Sequence, residues 1–252
     1  MMHLEHYQRI RQYEIELATK FLPSHGLILE IGAGAGWQAA YLSKRGYSVI
    51  ALDVPESNYS TAGNYPILLY DGVHIPLADH SVDAVFSSNT LEHVRDLPGL
   101  LAELHRVLKP GGVGVHLMPT PAWRLWTMLG LYVDVLKRIQ RRLVSPRTQE
   151  AGINIPAVEP PQRTFLAYLR YLLIPERHGE IGNALTELYF FSPRRWRKVF
   201  TNSGWYVSSI TPVGIFYTGW LIFNMALNIP SRQRLSQILG SSCAVYVVQR
   251  LK

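Results

Sequence analysis

The chain has 252 residues, 48% hydrophobic and 17% charged, which is enough apolar material for a sizeable core and argues against a disordered chain. Its one cysteine, Cys243, excludes an internal disulfide; the opening MMHLEHYQRIRQYEIELATKF, with both charge signs and no apolar run, does not read as a signal peptide, so a cytoplasmic location is expected. The net charge of +7 is uneven: residues 1–118 hold 8 Lys+Arg against 12 Asp+Glu and residues 119–252 hold 17 against 6, so anionic material is expected at the second half unless the asymmetry is an inert surface feature.

Residues 4–22 predict an amphipathic helix, ended by Pro23 and Gly26. LILEIG (27–32) is apolar without alternation, as a strand buried on both faces should be. A glycine loop and a helix over 37–45 follow, then strands at YSVIALD (47–53), PILLYD (66–71) and VDAVFSS (82–88). A helix over 97–108 has Leu100, Leu101, Leu104, Val107 and Leu108 on one face; the turn Lys109-Pro110-Gly111-Gly112 stops it, and VGVHLM (113–118) is a fifth strand. Residues 119–190 form a long insertion rich in aromatics and arginine. Ser192-Pro193 opens a helix closed by Gly204, and WYVSSITPV (205–213) and CAVYVVQRL (243–251) are the last strands. The expected fold is α/β: a Rossmann-like, seven-stranded, mostly parallel sheet with helices on both faces and a helical insertion after the fifth strand. Residues 1–118 would be the ligand-binding core and 119–190 a lid or acceptor-binding insertion, with 191–252 completing the same sheet.

Chemistry centres on Glu30-Ile31-Gly32-Ala33-Gly34-Ala35-Gly36, where glycines allow close backbone approach and a helix start offers unpaired N–H groups. Gly34–Ala39 also fits the looser dinucleotide pattern G-x-G-x-x-A, but Glu30 at the strand tip would repel a pyrophosphate and attract an ammonium or sulfonium. Asp53 ends the second strand, where it can accept from ribose hydroxyls, and Asp71 ends the third, within reach of an adenine amino group. Taken singly, each acid could equally be a strand-end turn residue.

ILEIGAGAG, VIALD, YDGVHIPLADHSVDAVFSSNTLEHV (70–94) and LAELHRVLKPGG (101–112), in this order and spacing over residues 26–118, resemble the class I S-adenosylmethionine (SAM)-dependent methyltransferases, in particular their small-molecule branch. The resemblance implies SAM as cofactor. It implies cofactor contacts at Glu30, Gly32, Ala33 and Gly34 for the methionine end, Asp53 and Val54 for the ribose, Asp71, Gly72 and Val73 for the adenine, and Asn89 facing the sulfonium or the acceptor. Relatives often carry a small residue followed by an acid where this chain has Gly72-Val73. A base, if the acceptor is a hydroxyl, would be His93 or His178, although a solvated or packing histidine is the alternative for each. No ligand pair has the usual metal spacing, so no metal is expected.

In the second half, TPAWRLWTMLGLYVDVLKRIQRRL (120–143) suits either a lid helix or a helix lying in a membrane interface. Val199–Ser231 carries no charged residue, and its segment 214–230 would build an acceptor pocket, a dimer contact or a lipid-dipping loop. Arg194-Arg195-Trp196-Arg197-Lys198 reads as a solvated helix face. PTPAWRLW and HGEIGNALTELYFFSPRRW resemble methyltransferases of bacterial surface glycans, which implies O-methylation of a glycan or lipid-linked sugar with peripheral membrane contact. The alternatives are a soluble small-molecule acceptor with 119–190 as a lid, and, in another class, an NAD-dependent oxidoreductase or a silent nucleotide-binding module. The fourth strand is followed by Thr90-Leu91 rather than a Pro-Pro-Tyr-like run, so nucleic acid is disfavoured as a partner.

Overall fold

The computed structural model describes residues 2–57, 63–144, 175–219 and 227–251. Helix α1 (Met2–Ala18) and a 3-10 turn precede β1 (Leu27–Ile31), α2 (Trp37–Lys44), β2 (Ser48–Asp53), β3 (Ile67–Leu69) and β4 (Val82–Ser88). A second 3-10 turn (Leu91–His93) leads to α3 (Leu97–Val107), β5 (Leu108–Pro119) and α4 (Pro121–Val144). The short α5 (Glu187–Phe190), α6 (Pro193–Asn202), β6 (Trp205–Pro212), α7 (Ile229–Leu239) and β7 (Cys243–Arg250) follow.

Among the described residues seven strands form one sheet in the order β3-β2-β1-β4-β5-β7-β6, parallel except for β7, which runs antiparallel to both neighbours. The expected Rossmann-like architecture is therefore present. Side chains alternate across the central strands. Leu29, Ile31 and Val85 pack with Leu100, Leu101 and Leu104 of α3 and with Trp196 and Phe200 of α6. Ile28, Ala84 and Phe86 face the other layer, with Ile10 and Ile15 of α1, Leu42 of α2 and Trp123 of α4. The five buried apolar residues of α3 each contribute roughly 1.5–3 kcal/mol by leaving water. Asp96 caps α3 by accepting from Gly99 N at 3.0 Å, and Ser192 caps α6 by accepting from Arg195 N at 3.3 Å.

Several expectations shift. The third strand covers only 67–69, so Asp71 lies beyond its end. Lys109-Pro110-Gly111-Gly112 does not separate helix from strand: β5 starts at Leu108 and runs through it, with a register shift opposite Asp83, whose carboxylate pairs with Lys109 at 2.7 Å. Such an irregularity accommodates residues that a regular strand would reject. Helix α7 was not expected. Its buried residue is Arg232, whose guanidinium donates to the carbonyls of Phe216 at 2.9 Å and Leu227 at 3.1 Å. The expected insertion begins with α4; residues 145–174 lie outside the described residues, as do 220–226 of the uncharged stretch.

Helix α1 is tied to the sheet by a buried ion pair. Arg11 donates to Glu14 at 2.6 Å and to Ser88 Oγ at 2.7 Å, while the Tyr217 hydroxyl donates to Glu14 at 2.6 Å. Removing one partner of such a pair strands the other charge. Arg11→Met is expected to cost about 3–5 kcal/mol in urea unfolding, and Arg11→Met/Glu14→Leu to cost less than Arg11→Met alone. A single variant costing under about 1 kcal/mol contradicts this.

Candidate functional site

In an open α/β sheet the crevice for ligands lies at the carboxyl ends of the strands, where the order reverses. Here the reversal falls between β1 and β4. The chain leaves β1 through Gly32, Gly34 and Gly36, all left-handed with φ of +70°, +55° and +72°. The amides of Gly32 and Ala33 donate to the Leu52 carbonyl at 2.9 and 3.1 Å, which folds the loop across the end of β2. A Cβ on Gly32 would collide with the side chain of Thr90, so this glycine is required by space as well as by backbone angle.

Two carboxylates face this loop. Asp53 is buried and accepts from Gly34 N at 2.6 Å and from Val54 N at 2.8 Å. Glu30 is 1% exposed, and neither of its oxygens has a hydrogen-bond partner. Burial pushes its pKa up to about 8, the charge on Asp53 adds to the shift and the Ala39 amide opposes it. A cationic group brought here would supply the partner that Glu30 lacks. Val54 lies against Gly72, where an added Cβ would come within 3.3 Å of Val54 Cγ1. Asp71 is turned to its own loop: it accepts from the amides of Val73 and His74 and from His74 Nδ1 at 2.7–2.9 Å, which lowers its pKa to about 2. Val73 is exposed.

Asn89 follows β4 with φ +50°, its amide donating to Leu117 O at 2.8 Å. With its side-chain oxygen oriented toward α1 it accepts from Arg11 Nη2 at 2.9 Å. Arg11 thus sets the orientation of a residue singled out from sequence. Its own role was hidden, because a charged residue on an amphipathic helix reads as solvated.

His93 and His178 come together across 85 residues of chain. Their rings meet edge to face with centroids 4.7 Å apart, and Trp123 of α4 packs on His178 at the same distance. Glu187 holds the second histidine in place: its Oε1 accepts from the amides of His178 and Gly179 at 2.6 Å, and its Oε2 pairs with Arg124 at 2.7 Å. Burial lowers the pKa of His93, against the pull of Glu180; burial, then His93 and Arg124, lowers that of His178, so both imidazoles are held neutral. Glu92 sits beside them, buried, with no hydrogen-bond partner on either oxygen. Sequence spacing did not indicate a metal here, yet one donor atom from each of Glu92, His93 and His178 lies within 4.8 Å of the others.

Residues 29–115 match the family model described as "Methyltransferase domain". The biotin biosynthesis bifunctional protein BioHC of Cellvibrio japonicus is 34% identical over 156 residues, covering 58% of this chain and 31% of that protein. Malonyl-[acyl-carrier protein] O-methyltransferase of Serratia marcescens is 38% identical over 90 residues, 34% of this chain and 35% of that one. The matched stretches thus span about a third of these curated relatives. Among solved structures, a SAM-dependent methyltransferase from Archaeoglobus fulgidus superposes with a TM-score of 0.56 at 14% identity, covering 96% of this chain and 94% of that one. Geranyl diphosphate C-methyltransferase from Streptomyces coelicolor, solved with Mg2+, geranyl diphosphate and S-adenosyl-L-homocysteine, gives 0.54 at 13% identity, covering 97% and 82%. The chain has the Rossmann-like fold of SAM-dependent methyltransferases.

Glu30 supplies a sign-definite test. In the unfolded chain it loses its proton near 4.5 and in the folded chain near 8. The folded state therefore binds more protons between these values, and stability falls as pH rises through that window and no further above it. Glu30→Gln is expected to melt higher than wild type, by a margin that grows from about pH 5 to about pH 8.5 and is worth a few kcal/mol, on the order of the pKa shift. A margin independent of pH contradicts the placement of Glu30.

Proposed function

We propose that this chain is a SAM-dependent methyltransferase that methylates an oxygen of a glycan or lipid-linked sugar. The observation that carries the cofactor half is the unpartnered carboxylate of Glu30 beside a left-handed glycine loop. SAM, when bound, supplies an electrophilic methyl group on a good leaving group, so the protein's work is mostly placement. Glu30 and the loop of Gly32, Ala33 and Gly34 hold the methionine end, with the α-ammonium neutralising the buried carboxylate. Asp53 accepts from ribose hydroxyls, and Val54 with Gly72 walls the adenine side. Asp71 and Val73 stand at the solvent rim of that side. Asn89, oriented by Arg11, faces the reacting centre. A neutral imidazole of His93 or His178 is free to take the proton of a hydroxyl acceptor.

For the acceptor, the name of the Serratia marcescens relative specifies O-methyl transfer. The surface of α4 supports an amphiphilic one: Leu125, Leu129, Tyr132, Val133 and Leu136 are 40–66% exposed on the helix that packs Trp123 against His178, and KRIQRR (137–142) follows. No described helix is long and apolar enough to cross a membrane, so the contact would be interfacial. The packing of Trp123 on His178 also favours a second reading, in which α4 is a lid over a soluble small-molecule acceptor.

Calorimetric titration with SAM is expected to show binding that Glu30→Gln and Asp53→Ala each weaken by at least about tenfold, the loss of one charged hydrogen bond. Methyl-labelled SAM with a bacterial lysate is expected to put enzyme-dependent label into the organic extract. Label confined to aqueous small molecules supports the lid reading instead, and absence of SAM binding overturns both.

A further inference from the structure

Among the described residues five carboxylates are buried: Glu14, Glu30, Asp53, Glu92 and Glu187. Three are answered. Glu14 has Arg11 and Tyr217, Glu187 has Arg124 and two backbone amides, and Asp53 has two amides. Glu30 faces the glycine loop. That leaves Glu92, a buried carboxylate with no hydrogen bond on either oxygen, where an isolated buried charge is strongly unfavourable. Among the described residues no lysine or arginine forms an ion pair with it: Arg11 is held by Glu14 and Ser88, and Arg124 by Glu187.

A pair of imidazoles stands beside Glu92. His93 Nε2 lies 3.9 Å from Glu92 Oε1, too far for a hydrogen bond and wide enough for an ion between them. An acid–base relay would show nitrogen and oxygen in contact, but no two of Glu92, His93 and His178 bond each other. Their donor atoms lie within 4.8 Å of one another, and donors about 2.0–2.2 Å from a shared zinc ion stand roughly 3–4 Å apart, so small side-chain adjustments would close the set. The frame is built without an ion: Glu180 N donates to the Glu92 carbonyl at 2.9 Å, Glu187 pins the amides of His178 and Gly179, and Trp123 backs the His178 ring. Both histidines are exposed, so an ion could reach the set from solvent.

We propose that Glu92, His93 and His178 bind a divalent first-row transition-metal ion, with one carboxylate oxygen and two imidazole nitrogens as ligands. Two imidazoles and one carboxylate suit zinc, iron or manganese and leave positions for exchangeable oxygen ligands. The binding stands apart from the methyltransferase reading; the use of the ion rests on it. Placed there, the ion would polarise an acceptor hydroxyl and ease loss of its proton, the task otherwise left to a free imidazole.

The test is titration of the chelator-treated, untagged 252-residue chain with Co2+, read by its visible ligand-field bands, with SAM titrated in parallel on every sample. Wild type is expected to saturate near one equivalent. Glu92→Gln, His93→Asn and His178→Asn should each weaken Co2+ binding by at least about tenfold, the scale seen even when a ligand's supporting partner is lost. Glu92→Gln removes a buried charge and should fold, and circular dichroism identifies which variants do. No band in wild type, or a band unchanged in the folded variants, overturns the site. Co2+ binding without SAM binding keeps the site and removes only the methyl-transfer role.

Discussion

Burying a carboxylate without a partner works against folding, because water solvates the ion far better than an apolar interior does. Glu30 stands in that position, in the middle of the sheet's binding edge, with Asp53 adding to the repulsion. A packed core would be easier to build with an apolar residue there. The acid is tolerable because burial pushes its pKa up to about 8, so it stays protonated below that pH. The loop that leaves β1 takes three left-handed glycines and is fixed to β2 through the Leu52 carbonyl and to Asp53 through the Gly34 amide. A close-approach glycine loop and two carboxylates therefore meet at one crevice, suited to a ligand carrying an ammonium and ribose hydroxyls.

The rest of the chain holds that edge in register. Arg11 reaches from α1 into the sheet's end, bonds Ser88 and faces Asn89, while Glu14 keeps its charge compensated and ties it to Tyr217. On the far side, Glu187 and Arg124 clamp the segment that carries His178 to α4, and Glu180 N joins that segment to the Glu92 carbonyl of the turn that carries His93. The two clamps have the same chemistry, an arginine–glutamate pair sealed from water, and each positions a residue of the crevice. In both cases the charged residues serve placement.

The central strands were legible because β1, β2 and β4 are buried on both faces and so read as unbroken apolar runs. The glycine loop was legible because its glycines carry the backbone angles that the residue type announces. The limits have equally specific causes. Lys109-Pro110-Gly111-Gly112 reads as a turn, since nothing local reveals that Asp83 of the neighbouring strand will pair with Lys109 across an irregular register. Helix α7 escaped notice because its buried residue is an arginine spending its donors on the Phe216 and Leu227 carbonyls, which inverts the apolar pattern. His93 and His178 could each be singled out, but their meeting with Glu92 depends on contacts between distant segments. Asp71 was placed at a strand end, whereas it closes its own turn with His74. Arg11 was not singled out, because a charged residue on an amphipathic helix reads as solvated.

Glu30 and Glu92, the two buried carboxyl groups without a hydrogen-bond partner, set the account: at each a bound cation would supply the partner that the fold does not. The most direct measurement for Glu30 is the proton count on SAM binding, taken by calorimetry at about pH 6.5 in buffers of different ionisation enthalpy. At that pH the ligand's α-amino group is already charged, whereas Glu30, with its pKa at about 8, still holds its proton. Binding should release about one proton per SAM in wild type and none in Glu30→Gln. Binding without proton release, or with the same release in the variant, would contradict the assignment of Glu30 to the ligand's ammonium.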